Sequence, residues 1–189
     1  MEREYDVALE WVPYELHPEI PPGGLLRDQV LPAAYRTRVE AGLRALAANA
    51  GLKLTSHDRL INSRPALEAA EYARQQGRFK AAHAELFRMY WVDGLDISKP
   101  EVLGDLADRI GVDRSALLHS VESERYGDYL DARRQEALDL MIDGIPAHVI
   151  AERYLVMGAQ PYEHFERVMR RLGVGRRSSD DLAKHMVEE

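Results

Sequence analysis

The chain has 189 residues, a formal net charge of −7 and no cysteine. The acidic balance excludes a general nucleic-acid binder, which needs net basic surface to displace counterions. The missing thiols exclude disulfides, thiolate metal sites and a cysteine nucleophile within this polypeptide. Hydrophobic residues at 46% and charged residues at 30% suit a globular domain with room for an inserted lobe. No stretch approaches the roughly 20 apolar residues of a membrane helix. The opening "MEREYDVALEWV" is charged and carries no apolar signal core, so cytoplasm is the expected compartment. Arg176-Arg177 is too short a basic run to reverse the charge argument and is expected to be solvated surface.

In chain order, "YDVALEWVPYEL" alternates Val7, Leu9 and Trp11 against Ala8, Glu10 and Val12, which is strand periodicity stopped by Pro13. "HPEIPPGG" holds three prolines and two glycines in eight residues and is expected to be an extended loop. Leu25 to Pro32 is ambiguous. From Ala34 the period becomes helical through Tyr35, Val39, Leu43, Leu46 and Ala50, with Gly51 placed to end the helix. Leu52-Lys53-Leu54 is expected to be extended. Asn62-Ser63 can cap a helix that carries Pro65 in its first turn and ends at Gly77.

Phe79, Ala82, His83, Leu86, Phe87, Tyr90 and Trp91 predict the strongest amphipathic helix. Ser98-Lys99-Pro100-Glu101 has capping-box spacing, and Leu103, Leu106 and Ile110 follow before Gly111. Asp113 starts a helix through Leu117, Leu118 and Val121. Another is expected from about Asp128 to Met141, with Leu130, Ala137, Leu138 and Met141 turned inward. "DGIPAHVIAERYLVMGAQPYEHFERVM" then reads as a Gly-X-Pro turn, two short strands and a helix opening at Gln160-Pro161. Strands flanking an all-helical middle predict an α/β fold with an inserted helical lobe.

Four segments in order resemble the DsbA-like thioredoxin-fold proteins, and among them the cytoplasmic FrnE-type branch. They are "VALEWVPYELHPEIPPGG", "NSRPALEAAEYARQQG", "FKAAHAELFRMYWVDGLDISKPEVL" and "GIPAHVIAERYLVMGAQPYEHFERVM". The resemblance implies an α/β thioredoxin-like core from residues 1–32 and 143–173, an inserted helical lobe from 33–142 and a polar tail from 174–189. It also implies that the core is incomplete. The family's first strand and first helix, which carry Cys-x-x-Cys, have no counterpart here, and that strand is central in the sheet.

Such a gap would span roughly 9–10 Å, with each orphan backbone group costing about 1–3 kcal/mol if buried. Three resolutions are expected: the flanking strands pair directly, a second chain supplies the strand, or the natural protein is longer. A homodimer or a sheet-completing partner chain is therefore expected.

By the resemblance, Ile145-Pro146 is a cis bond, the backbone of Ile145 pairs with an extended peptide or protein substrate, and Ala147 belongs to the same binding loop, although a turn proline that only sets the entry angle of the strand also explains the segment. Gln160 and Pro161 match the turn that follows the strands, although a helix start alone explains them. Asn62 and Ser63 match an Asn-Ser/Thr pair that faces the active-site side in related isomerases, although a helix cap also explains them. Trp11, Glu15 and His17 fall next to where the dithiol would be. Trp11 is expected in the core, and Glu15 and His17 in a loop.

His83 is expected to be a core residue, and the histidines show no metal-ligand spacing. No catalytic residue, metal site or cofactor is assigned. The implied function is membership of the thiol-disulfide oxidoreductase family, with this cysteine-free chain redox-inactive and retaining peptide binding. The alternatives are a chaperone-like binding module and a relative of the isomerases and kappa-type glutathione transferases that would take glutathione.

Overall fold

Eight helices and four short strands follow one another along the described residues, 1–49 and 51–177, of this computed structural model. They fall into two units, Pro13–Arg134 and Met1–Val12 with Gln135–Glu189.

In the larger unit, β1 (Leu25–Leu26) runs straight into a single helical turn, α1 (Arg27–Val30), which settles the ambiguous stretch. β1 pairs antiparallel with β2 (Arg59–Leu60). Gly24 lies at φ +67°, and a Cβ there would meet the Leu60 carbonyl oxygen at 2.6 Å, so only glycine fits this approach. Between the strands lies α2 (Ala33–Asn49), the expected helix. Its stripe, however, does not form a core. Tyr35, Leu43 and Leu46 are exposed, and Ala47 is its buried residue among those described. Leu52–Leu54 is irregular rather than a strand, and the chain is tied next by the Thr55 N–H donating to the Trp91 carbonyl at 2.6 Å.

The core of this unit is built by α3 (Arg64–Gln75), α4 (Phe79–Trp91), α5 (Pro100–Ile110), α6 (Arg114–Glu122) and the start of α7 (Gly127–Asp139). Ala66, Ala69, Ala70 and Ala73 repeat along one face of α3, and their small side chains let neighbouring helices approach closely. Leu86, Met89, Leu103, Leu106, Leu117 and Leu130 fill the space between. Each such side chain contributes about 1.5–3 kcal/mol on burial. Phe79 and Phe87 flank the His83 ring. Burial first, and the Arg74 charge second, lower the pKa of this histidine. Phe87 itself is exposed, so the stripe predicted for α4 is wider than the face that packs.

The helix ends correct the sequence reading in two places. At α5 no capping box forms. Lys99 occupies the N-cap, and the Ser98 hydroxyl donates to the Asp96 carboxylate at 2.6 Å, a nearer acceptor that draws it away from the helix. At α7 the helix stops at Asp139, and Met141 lies at φ 59° and 85% exposed instead of facing inward. Asp113, as expected, caps α6 by accepting the Ala116 N–H at 2.7 Å.

The smaller unit is a hairpin on a helix. β3 (Ala147–Ile150) pairs antiparallel with β4 (Tyr154–Met157), with Ile150 opposite Tyr154 and Ala147 opposite Met157. Ile150, Tyr154 and Val156 pack with Phe165, Val168, Met169 and Leu172 of α8 (Tyr162–Leu172) and with Tyr5. Val149 and Leu155, also opposite one another, are exposed on the other face. Arg176 and Arg177 are not merely solvated. Arg176 pairs with Glu166 and reaches the Tyr5 hydroxyl. Arg177 donates to the carbonyls of Glu2 and Tyr5 and to Asp6, tying the chain after α8 to the first residues. The predicted tail beyond Arg177 lies outside the described residues.

The expected first strand does not form. Val7–Val12 belongs to no ladder, Leu9, Trp11 and Val12 are exposed, and the Leu9 N–H is satisfied by the Glu2 carboxylate at 3.0 Å. Periodicity supplies the two faces of a strand, but a ladder needs a neighbour's backbone. β3 pairs with β4 alone among the described residues, so direct closure of these two segments does not occur.

Candidate functional site: the proline loop and an ion cluster around Arg64

The expected site residues gather into two groups, one in each unit. In the smaller unit the Ile145–Pro146 bond is cis. The Pro146 carbonyl accepts the Gly158 N–H at 2.8 Å, which points it toward β4. The N–H of the same peptide unit, on Ala147, therefore points to the opposite edge. By the alternation of an antiparallel ladder, the N–H and C=O groups of Ala147 and Val149 line that edge. Gln160 donates from Nε2 to the Met157 carbonyl at 2.8 Å, and Pro161 takes the N-cap of α8. Ile145, Pro146, Ala147, Gln160 and Pro161 thus form one neighbourhood at the end of the hairpin. Ile145 is 55% exposed. Sequence reasoning missed His148, two residues past the proline. Its ring meets Phe165 edge-on at 4.9 Å, and its Nδ1 is buried without a hydrogen-bond partner. Trp11, expected in the core, is 52% exposed because the strand that would have buried it has no ladder.

In the larger unit Asn62 acts and Ser63 does not. Asn62 accepts the Arg64 N–H at 2.9 Å and donates to the Ile20 carbonyl at 2.8 Å, pinning the proline-rich loop to the start of α3. Ser63 sits at the N-cap with helical backbone angles and makes no capping bond. His17 is exposed, with Nδ1 2.8 Å from the Glu19 carboxylate. Glu15 is no ordinary loop residue. It is 4% exposed, and Oε2 lies 2.8 Å from Arg64 Nη1.

Arg64 is the hub that the sequence did not reveal. It also holds Asp131 at 2.7 Å and the Gly127 carbonyl at 3.2 Å. The hydrogen bond to Asp131 contributes most to raising its pKa, with Glu15 adding to it against the cost of burial. One helical turn on, Glu68 is 1% exposed. Its Oε2 accepts the Tyr126 N–H at 2.9 Å, while Oε1 has no partner. Burial raises the Glu68 pKa, opposed by that N–H and by Arg64. A charged residue one turn from another inside an alanine-rich face was the available signal. No group of three potential metal ligands occurs among the described residues.

A family model described as DSBA-like thioredoxin domain matches residues 1–170. The chain belongs to this family. A DsbA-like protein described as a probable DsbA oxidoreductase from Streptomyces coelicolor superposes with a TM-score of 0.75 at 26% identity, over 86% of this chain and 74% of that one. The 2-hydroxychromene-2-carboxylate isomerase structure superposes with a TM-score of 0.66 at 20% identity, over 77% of this chain and 73% of that one. YwbO of Bacillus subtilis (strain 168), an uncharacterized protein, is 21% identical over 169 residues, 87% of this chain and 82% of its own length. The expected α/β fold of DsbA-like type with a helical insert is therefore the fold of this chain. No helix among the described residues is long and apolar enough to cross a membrane.

Proposed function

We propose that this DsbA-like chain binds extended peptide segments and carries out no thiol chemistry of its own. The observation that carries the reading is the outer edge of β3, which pairs with no strand among the described residues, beside an exposed Ile145. Strand addition there uses the outward N–H and C=O groups of Ala147 and Val149, each bond worth about 0.5–1.5 kcal/mol net. Without cysteine the chain supplies no thiolate to attack a disulfide. The unladdered Val7–Val12 segment and the same open edge support a second role for strand addition, completion of the sheet by a partner chain or a second copy.

The test is the anisotropy of a labelled, extended apolar peptide titrated with the protein. Val149→Pro removes an outward N–H and leaves the β3–β4 bonds in place. Saturable binding lost in this variant, with the hairpin retained, is the expected result. Equal binding by both proteins would refute strand addition. Reduction of insulin by dithiothreitol should proceed no faster with the protein than without it. Light scattering tests the second copy: a dimer supports it and a monomer excludes it.

A further inference from the structure

A cavity of about 130 Å³, the share of roughly four liquid waters, lies within the larger unit between α2, the segment before β2 and the end of α4. It uses none of the proline-loop or Glu15–Arg64 residues. Its walls are mostly apolar, with Leu43, Leu54, Leu60, Tyr90 and Trp91 among them. Three guanidinium groups, of Arg27, Arg44 and Arg59, join those walls against one carboxylate, Glu40. Local positive charge is thus in excess on a chain whose net charge is −7.

The pairing is also loose. Glu40 lies 3.5 Å from Arg27 and 3.9 Å from Arg44, and the Arg59 bonds given to backbone carbonyls of Gly23 and Gly24 leave its charge unneutralised. By contrast, Arg64, Arg88, Arg109 and Arg114 have carboxylates at 2.7, 2.6, 2.6 and 2.5 Å. Arg27 is largely buried, and its Nε has no hydrogen-bond partner. A buried donor of a charged group left without an acceptor is unfavourable, and an acceptor that fills the space removes that cost. The aromatic side is rigid: His57 stacks on Tyr90 at 3.9 Å with rings 4° from parallel, and Trp91 meets both edge-on.

We propose that this cavity is a binding site for a small amphipathic carboxylate. The head group takes the Arg27 and Arg44 guanidiniums, whose forks match the two carboxylate oxygens. A short apolar body lies against Tyr90, Trp91 and the leucines. Inorganic phosphate would satisfy the arginines but leave the apolar wall uncovered.

Only two tryptophans occur in the chain, so Trp11→Phe leaves Trp91 as the single indole reporter. Its fluorescence is titrated with hexanoate, and separately with inorganic phosphate. Saturation by hexanoate with a Kd near or below about 1 mM, and little response to phosphate at the same ionic strength, is expected. Arg27→Met should weaken hexanoate binding about tenfold or more. Arg44→Gln, at an exposed position that leaves the fold intact, should weaken it about threefold. An unsaturated hexanoate response at about 10 mM, an equal phosphate response, or unchanged affinity in the Arg44→Gln protein would each overturn the proposal.

Discussion

The two units satisfy their backbones and bury their apolar residues by different means. In Pro13–Arg134 five helices make their own hydrogen bonds and need only one another's apolar faces, so the core closes with Met89, Leu103, Leu106 and Leu117 fully buried. In the smaller unit a two-stranded hairpin leans on one helix. Its buried cluster is Tyr5, Val156, Val168 and Met169, while Val149, Leu155 and Ile145 stay exposed. A helix carries its bonding partners in its own sequence, but a strand borrows them. An unpaired edge is therefore a matter for the hairpin and not for the helical unit.

The largest way to break this contrast lies in the helical core. Leu106→Ala removes a fully buried side chain on α5 and is expected to cost about 3–4 kcal/mol. Urea unfolding followed by circular dichroism should show the loss in the transition that carries most of the helical signal. Hydrogen exchange should show the β3–β4 amides nearly unaffected, if the units are as independent as their cores. Loss of hairpin protection in step with the helices would erase the distinction.

Arg64→Met comes next. It strands the carboxylate of Glu15, which is 4% exposed, and should cost about 3 kcal/mol in the same unfolding experiment. Adding Glu15→Gln should return much of that, because the uncompensated buried charge is then gone. A double variant as unstable as the single one would mean that packing of the arginine, not charge pairing, is what matters.

The helices and the hairpin were legible because their signals are local. Asp113 caps α6, Gly111 closes α5 at φ 72°, and the short apolar runs "AHVI" and "YLVM" on either side of a turn give β3 and β4. Val7–Val12 misled because alternation records which faces suit a sheet, not whether a neighbour is present. Ser98 misled because its hydroxyl had a nearer carboxylate than the helix end. The proline neighbourhood could be placed from the resemblance. The Arg64 cluster could not, since its members, Glu15, Arg64, Gly127 and Asp131, are up to 116 residues apart in the chain. Only folding brings them together.

A smaller and opposite effect is expected at the hairpin turn. Ala151 and Glu152 hold φ values of 51° and 55°, a left-handed conformation that costs non-glycine residues about 1–2 kcal/mol each. Paired positive φ at a tight turn is the geometry that favours Asn-Gly or Asp-Gly. Glu152→Gly should therefore stabilise the smaller unit by about 0.5–1 kcal/mol, after glycine's extra chain entropy is subtracted. Slower exchange of the β3–β4 amides would report it, with the helical unit unchanged. Faster exchange would mean that the Glu152 side chain stabilises the turn more than its backbone strains it.

The smallest effect sharpens the contrast through pH. Arg88 and then Arg109, through hydrogen bonds at 2.9 and 2.6 Å, lower the Glu85 carboxyl to about 2. The unfolded chain holds this proton near 4.5, so the stabilisation is complete above that value and fades as pH falls toward 2. Glu85→Gln should cost about 0.5–1 kcal/mol at neutral pH, a range typical of exposed ion pairs, and less in high salt. Near pH 2 the two proteins should be equally stable. Glu68 gives the opposite slope, because burial raises its pKa. Its contribution is greatest when protonated and declines as pH rises above the ordinary carboxylate range, so Glu68→Gln should flatten the neutral side of the profile and Glu85→Gln the acid side. Both groups belong to the helical unit. Global stability of that unit should follow these two slopes, and exchange at the β3–β4 amides should follow neither. A hairpin that tracked the Glu85 titration would show that the smaller unit draws its stability from the larger one.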